Sequence, residues 1–360
     1  MINVTKTYLP DKEKYKRYID EIFESGWLTN NGRLLGELER RLREYLGVKN
    51  LLLVSNGTVA LQVAYKVLEL KGDVLTTPFS FVATTSSLVW EGLNPIFVDI
   101  DKRSLNVDPA NIQKSISSKT SAIVATHVYS NACDIDSIEK IAKEKKLKVI
   151  YDAAHAFDVR YKNNNILNYG DISTISFHST KTFHTIEGGA LVIKDDKLFE
   201  KAKTMINFGI KGPSEILGLG INAKMNEFQA AMGLCVLDEI EEIKANRRTR
   251  YEYYLDNLEN TDGLTFQMRN EFATNNFTHF PVIFQNEGIL LKVIEELNNQ
   301  NIYPRRYFYP SLESLPYINI TQTMENSNDI ARRVLCLPLF HSLEKQIQDR
   351  IIKTIKIVLK

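Results

Sequence analysis

Between residues 51 and 193 the chain alternates short, continuously apolar runs with stretches whose apolar residues recur at helical spacing. This alternation constrains the fold more than any other feature. The runs cover 51–54, 73–76, 95–98, 121–126, 147–151, 172–177 and 190–193. A run with no polar alternation reads as a strand buried on both faces. The segments between them, such as 59–70 with Leu61, Ala64, Tyr65 and Leu68 in phase, read as crossover helices. Strands alternating with helices predict an α/β fold: a large domain built on a mostly parallel seven-stranded sheet. In such sheets ligands gather outside the carboxyl ends of the strands, so the residues just after each strand are the candidates for chemistry.

The texture changes near residue 226. Residues 226–258 read as one long, charge-laced helical stretch that includes Glu241, Arg247, Arg248 and Arg250. Beyond Asp262-Gly263 the signals are sparser: a strand over 279–284, a helix over 289–297 and a terminal helix over 343–359. The expected division is a large domain over 1–225, carrying an N-terminal substrate segment, and a linking helix with a small C-terminal α+β domain over 226–360. Of the 360 residues, 44% are hydrophobic and 25% charged, which excludes wholesale disorder. Lys and Arg total 45 against 44 Asp and Glu, which argues against a nucleic-acid surface. Cys133, Cys235 and Cys336 have no metal-ligand spacing, and an odd number suits a reducing compartment. No apolar run approaches about 18 residues and the start has no signal-like core. A cytoplasmic protein that neither spans a membrane nor binds a metal is expected.

Three segments stand at strand ends. Ser55-Asn56-Gly57-Thr58 lies between a strand and a helix, where outward N–H groups and the helix dipole favour a phosphate; the plain alternative is a helix cap by Asn56 or Thr58. Neither a P-loop nor a dinucleotide fingerprint occurs. Asp152, in Tyr151-Asp152-Ala153-Ala154-His155, is placed to pair with a protonated ring nitrogen, or to cap a helix. His155 alone reads more often as a packed structural histidine. Lys181, in Ser176-Phe177-His178-Ser179-Thr180-Lys181, has Phe177, Phe183 and Ile186 as neighbours and Glu187-Gly188-Gly189 downstream. A partly desolvated lysine keeps part of its amine neutral and able to attack a carbonyl, although most lysines are solvated surface groups. Phosphate cradle, ring-nitrogen partner and Schiff-base lysine together are what pyridoxal 5'-phosphate needs from a protein.

With these segments in view, the chain resembles the DegT/StrS sugar-nucleotide aminotransferases, a family of fold-type-I, aspartate-aminotransferase-like pyridoxal-phosphate enzymes, and within it the viosamine-forming 4-aminotransferases. The resemblance also rests on Ser25-Gly26-Trp27-Leu28-Thr29, on the run from Thr77 to Thr84, on Phe97-Val98-Asp99-Ile100-Asp101 and on the run from Gly220 to Glu227. It implies that Lys181 carries the cofactor and moves the proton, and that Asp152 holds the pyridinium nitrogen. It also implies that Gly57, Thr58 and Ser176 bind the phosphate and that Phe81 stacks on the ring. Asn222 matches an asparagine that reaches the cofactor phosphate of a neighbouring subunit, which makes a homodimer with shared active sites.

His155 replaces a glutamine that bonds the cofactor's phenolic oxygen, as it does in the branch that aminates C4 of the sugar, and its ring N–H can donate the same bond. Asp158 and Ser130 stand where glycines are usual, Lys224 replaces an arginine, and Tyr307 stands where some relatives have a histidine near the sugar. Thr29 and His184 are the sugar-side contacts expected, and Lys211, Arg247 or Arg250 the cations considered for the pyrophosphate. The implied reaction moves an amino group from L-glutamate to C4 of dTDP-4-keto-6-deoxy-D-glucose, in O-antigen and lipopolysaccharide biosynthesis. Amination of a 3-keto sugar nucleotide is the alternative within the class. A regulator that carries the cofactor without turnover and a nucleotide-sugar-binding module are the alternatives outside it.

Overall fold

The seven apolar runs form one sheet, for the reason their composition gives: most are buried on both faces, and only the edge strand Asn94–Phe97 leaves one face partly open. The strands are β1 (Leu51–Val54), β2 (Asp73–Thr76), β3 (Asn94–Phe97), β4 (Thr120–Thr126), β5 (Lys148–Asp152), β6 (Ile172–Ser176) and β7 (Gly189–Ile193). The computed structural model describes residues 1–318 and 322–360. The strand order is β1-β7-β6-β5-β4-β2-β3. All neighbours run parallel except β7, which is antiparallel to both β1 and β6. The mostly parallel seven-stranded sheet expected from sequence is therefore present. The register pairs Thr126 with Asp152, and Asp152 with Thr174, so polar residues end adjacent strands in one row.

Helices cover both faces. On one side lie α1 (Lys12–Ser25), α2 (Arg33–Leu46) and the apolar helix Glu227–Asp238, sharing a core with the inward side chains of the sheet. Leu34, Leu35, Leu38, Leu42 and Leu46 make the buried stripe of α2. The helix stops at Gly47, whose φ of 63° is the left-handed cap that glycine adopts without strain. On the other side α3 (Gly57–Val67) packs with Asp196–Met205.

The small domain has a three-stranded antiparallel sheet, Leu264–Thr265, Phe280–Phe284 and Val334–Leu337, packed against Ile240–Leu258, Glu287–Asn298 and Lys345–Val358. Two features depart from expectation. The stretch 226–258 is two helices, not one, broken at Glu239. The first is buried nearly all round and belongs to the large domain's core; only the second is charge-laced. The first residues of the chain also cross to the small domain: Ile2 and Asn3 pair in parallel with Ile302 and Tyr303. A further cluster, including Val4, Phe79, Tyr129, Ile283, Phe308 and Cys336, ties the two domains together.

Candidate active site

The loops after β1, β2, β5 and β6 meet in a cavity of about 290 Å³. It lies outside the carboxyl ends of the strands, where sheet topology places ligands. At its wall are Gly57, Thr58, Phe81, Asp152, His155, Ser176 and Lys181, seven of the eight residues expected around a cofactor.

Asn56 caps α3, its Oδ1 accepting from Val59 N at 2.8 Å. Gly57 and Thr58 then open the helix at the cavity. The close packing here requires glycine twice. A Cβ on Gly57 would lie 2.9 Å from Ser176 Cβ, and one on Gly189 would lie 2.7 Å from the Asn56 carbonyl carbon. Without side chains these positions leave the start of α3 and Ser176 side by side, as an anion cradle needs.

Asp152 is buried at the end of β5. Its Oδ2 accepts from Thr84 Oγ1 at 2.7 Å and its Oδ1 from Ala154 N at 3.0 Å. Thr84 Oγ1 lies 2.7 Å from Ser80 Oγ, which is 3.1 Å from Thr126 Oγ1. This hydroxyl chain fixes the carboxylate at the cavity wall, and each oxygen keeps acceptor capacity.

Lys181 sits on the turn after β6, its N–H donating to His178 O at 2.9 Å. Loss of water around its amine pushes its pKa down to about 8, against the opposing pull of the Asp152 charge. His155 stacks nearly parallel to Tyr129 and Phe308, with interplanar angles of 7°. Burial first, then Lys181 and His279, push its pKa well below the usual value, so the ring is neutral. Its Nδ1 is buried without a partner among the described residues.

The structure does not bring three expected residues to this cavity. Thr29 is exposed on the segment leading to α2. His184 is buried, with Nε2 2.8 Å from Tyr8 O and Nδ1 accepting from Ile186 N, so both ring nitrogens are engaged within the fold. Asn222 is exposed and forms an isolated antiparallel bridge with Asn207. The cations considered for a pyrophosphate also stand elsewhere. Arg247 is buried and donates to the carbonyls of Phe277 and Thr278, Arg250 donates to Leu343 O, and Lys211 lies on an exposed hairpin. Ser130 and Asp158, where the resemblance leads one to expect glycine, have left-handed backbone, with φ of 65° and 55°. Asp158 is held there by Lys244 and Tyr45.

Sequence reasoning missed His279, Arg305 and the role of Thr84. His279 lies 4.4 Å from His155, ring centre to ring centre, and Arg305 lines the same cavity. Both come from the small domain, and no local pattern marks them. Among the described residues no group of three or more His, Cys, Asp or Glu could hold a metal, and no helix is long and apolar enough to cross a membrane.

A mostly parallel α/β sheet whose strand ends gather a lysine, a carboxylate and an anion cradle in one cavity defines an aminotransferase-type enzyme. The chain belongs to the DegT/DnrJ/EryC1/StrS aminotransferase family, whose model matches residues 10–356. It is 40% identical to the dTDP-4-amino-4,6-dideoxy-D-glucose transaminase of Shigella dysenteriae, over 99% of this chain and 98% of that protein. It is 37% identical to the Escherichia coli transaminase of the same name, over 98% and 97%. Among solved structures it is similar to DesI, crystallised in the presence of its TDP-sugar product, with a TM-score of 0.94, 30% identity and coverage of 99% and 93%.

Proposed function

We propose that this protein transfers an amino group from L-glutamate to C4 of dTDP-4-keto-6-deoxy-D-glucose, giving dTDP-4-amino-4,6-dideoxy-D-glucose, with pyridoxal 5'-phosphate as its cofactor. The observation that carries the reading is Lys181, with its lowered pKa, in one cavity with Asp152. The two transaminases of that name, similar along nearly the whole chain, support the choice of sugar.

The residues fit the cofactor. The cradle at Gly57 and Ser176 excludes a Cβ, the Asp152 carboxylate is held at the wall by Thr84, and the buried Nδ1 of His155 lacks a partner. When bound, the cofactor supplies an aldehyde that takes up an amine and a ring that accepts the electron pair left when a neighbouring C–H bond breaks. In this reading Asp152 keeps the ring nitrogen protonated, which makes the ring a better electron acceptor. His155, neutral, would donate one N–H to the phenolic oxygen. Gly57, Thr58 and Ser176 would hold the phosphate, and Phe81 would pack against the ring. Lys181 would serve as the base that takes a proton from the carbon of the bound donor in one half of the reaction, and as the acid that supplies a proton to the sugar carbon receiving the amine in the other. An amine with a pKa of about 8 is partly neutral near pH 7, as that shuttle needs.

The active unit in this reading is a cytoplasmic homodimer. Asn222 is exposed beside Phe208, Ile216, Leu217, Leu219 and Ile221, all exposed apolar residues of one hairpin, and would reach the cofactor phosphate in the partner subunit's site.

The test is product analysis. Enzyme supplied with glutamate and the 4-keto sugar nucleotide should yield an amine that NMR places at C4, and Lys181→Ala should abolish turnover. Amine at C3, from a 3-keto acceptor only, would replace the substrate, and near-normal turnover by Lys181→Ala would remove the reading.

A further inference from the structure

Two imidazoles meet at the wall of the cavity, and each has a nitrogen left without a bond. His155 belongs to the large domain and His279 to the small one; their ring centres are 4.4 Å apart and their planes inclined at 46°. In both rings Nδ1 is the sealed, unpaired atom among the described residues, which leaves Nε2 toward the cavity. Burial, then Lys181 and Arg247, push the pKa of His279 well below the usual value, as burial and Lys181 do for His155, so both rings are neutral. A neutral imidazole carries one N–H donor and one acceptor nitrogen.

The two rings are held together at the level of the backbone. Asn276 Nδ2 donates to His155 O at 2.8 Å and to Phe157 O at 3.0 Å, and its Oδ1 accepts from Thr278 N at 3.2 Å. The buried Arg247 donates to the carbonyls of Phe277 and Thr278, the two residues before His279. Residues 276–279 of the small domain are thereby fixed to the turn of the large domain that carries His155. The other neighbours of the rings are aromatic: Phe308 lies along His155, and Tyr129 and Tyr307 flank His279.

We propose that His279 is a positioning residue whose Nδ1–H donates to Nδ1 of His155 and so fixes His155 in the tautomer with its proton on Nε2. One bond then satisfies both orphaned nitrogens, and a buried polar atom without a partner is costly. Which imidazole nitrogen carries the proton is set by the bond that the other makes. This inference rests on the pyridoxal-phosphate reading above and adds to it what keeps an N–H of His155 aimed at the phenolic oxygen.

The test is 15N NMR of protein labelled in its six histidines, with and without cofactor, in the unchanged chain and in His279→Phe and His279→Asn. In the unchanged chain a 15N–15N coupling across the hydrogen bond should link the two Nδ1 atoms, and His155 should carry its proton on Nε2 alone. In His279→Phe the coupling should vanish, His155 should divide between its two tautomers, and kcat should fall about 10-fold, the worth of one neutral hydrogen bond. His279→Asn places an amide N–H near the position of Nδ1; it should restore the single tautomer and bring kcat within about threefold of the unchanged enzyme. Absence of the coupling in the unchanged chain overturns the inference, and so does a His155 tautomer that stays the same in His279→Phe, whatever happens to kcat. Coupled rings in a protein that takes up no pyridoxal phosphate, read by absorbance, would defeat the cofactor reading instead.

Discussion

Lys181 and Asp152 act on each other through charge in a cavity that strips water from the amine. The two influences have opposite signs: desolvation lowers the lysine's pKa to about 8 and the Asp152 charge raises it. The neutral amine is the nucleophile. In protein freed of cofactor, the rate of pyridoxal-phosphate uptake at Lys181 should therefore rise with pH through a midpoint near 8, well below an ordinary lysine. Asp152→Asn removes the charge that favours the ammonium, so its midpoint should move to lower pH. Stopped-flow absorbance across pH 6 to 10 reads both, and a midpoint in the asparagine variant at or above that of the unchanged protein would contradict this account. Asp152 was legible in the sequence because it follows an apolar run directly, and Lys181 because it lies in the loop after another run, among Phe177, Phe183 and Ile186. His279 and Arg305 were not, because they reach the same cavity from the other domain and their own neighbours give no reason to single them out.

Glu227 shows what the element scale adds. It opens the helix Glu227–Asp238, yet its buried carboxylate accepts from Leu34 N at 2.8 Å and Leu35 N at 3.1 Å, at the start of α2. Its own N–H donates to Leu28 O at 3.0 Å. One side chain thus caps a different helix and closes the segment that carries Thr29. The local preceding residue, Gly32, makes no side-chain cap, and a Cβ there would lie 2.5 Å from Glu227 Cδ. Glu227→Ala leaves two buried N–H groups unpaired at a helix N-terminus and should cost about 2–4 kcal/mol of stability. Glu227→Gln keeps an acceptor, loses the charge, and should cost about 1 kcal/mol. Urea midpoints measure both, and an alanine variant within about 0.5 kcal/mol of the unchanged protein would show that the carboxylate is not a cap.

The reading of 226–258 as one helix failed at this same scale. Helical periodicity runs unbroken through Glu239, and what separates the two helices is composition: the first is apolar on every side because it packs between α1, α2 and the sheet. A helix apolar all round signals complete burial, a cue present in the sequence that periodicity does not weigh.

At the scale of the molecule, the first eight residues act as a strap. Ile2 and Asn3 join the small domain's strand, Val4 O accepts from Leu339 N, Thr5 reaches the cavity wall and Tyr8 O meets His184. The two domains are thereby fixed around the cavity, and no local pattern in those residues foretold it, because the pairing partners lie some 300 positions away. A surface of the large domain is left apolar in one chain: Ile216 and Leu219 are 73% and 75% exposed, on the hairpin that leads to Asn222. In the homodimer proposed above these side chains would be covered at the interface, the same hairpin serving both subunits. Leu219→Asp should yield monomers by analytical ultracentrifugation with an unchanged far-ultraviolet spectrum and little activity, since no site receives Asn222 of the partner subunit. Complementation makes the sharper prediction. If the proposed sites are shared, Lys181→Ala and Asn222→Ala dimers should each be inactive or nearly so, because every site lacks one group. Mixed and allowed to exchange subunits, half the dimers become hybrids, and each hybrid has one site with both groups intact and one with neither. Activity should then recover to about a quarter of the unchanged enzyme. Recovery no greater than the sum of the two inactive parents, with exchange verified by mass spectrometry, would mean that each subunit builds its site alone.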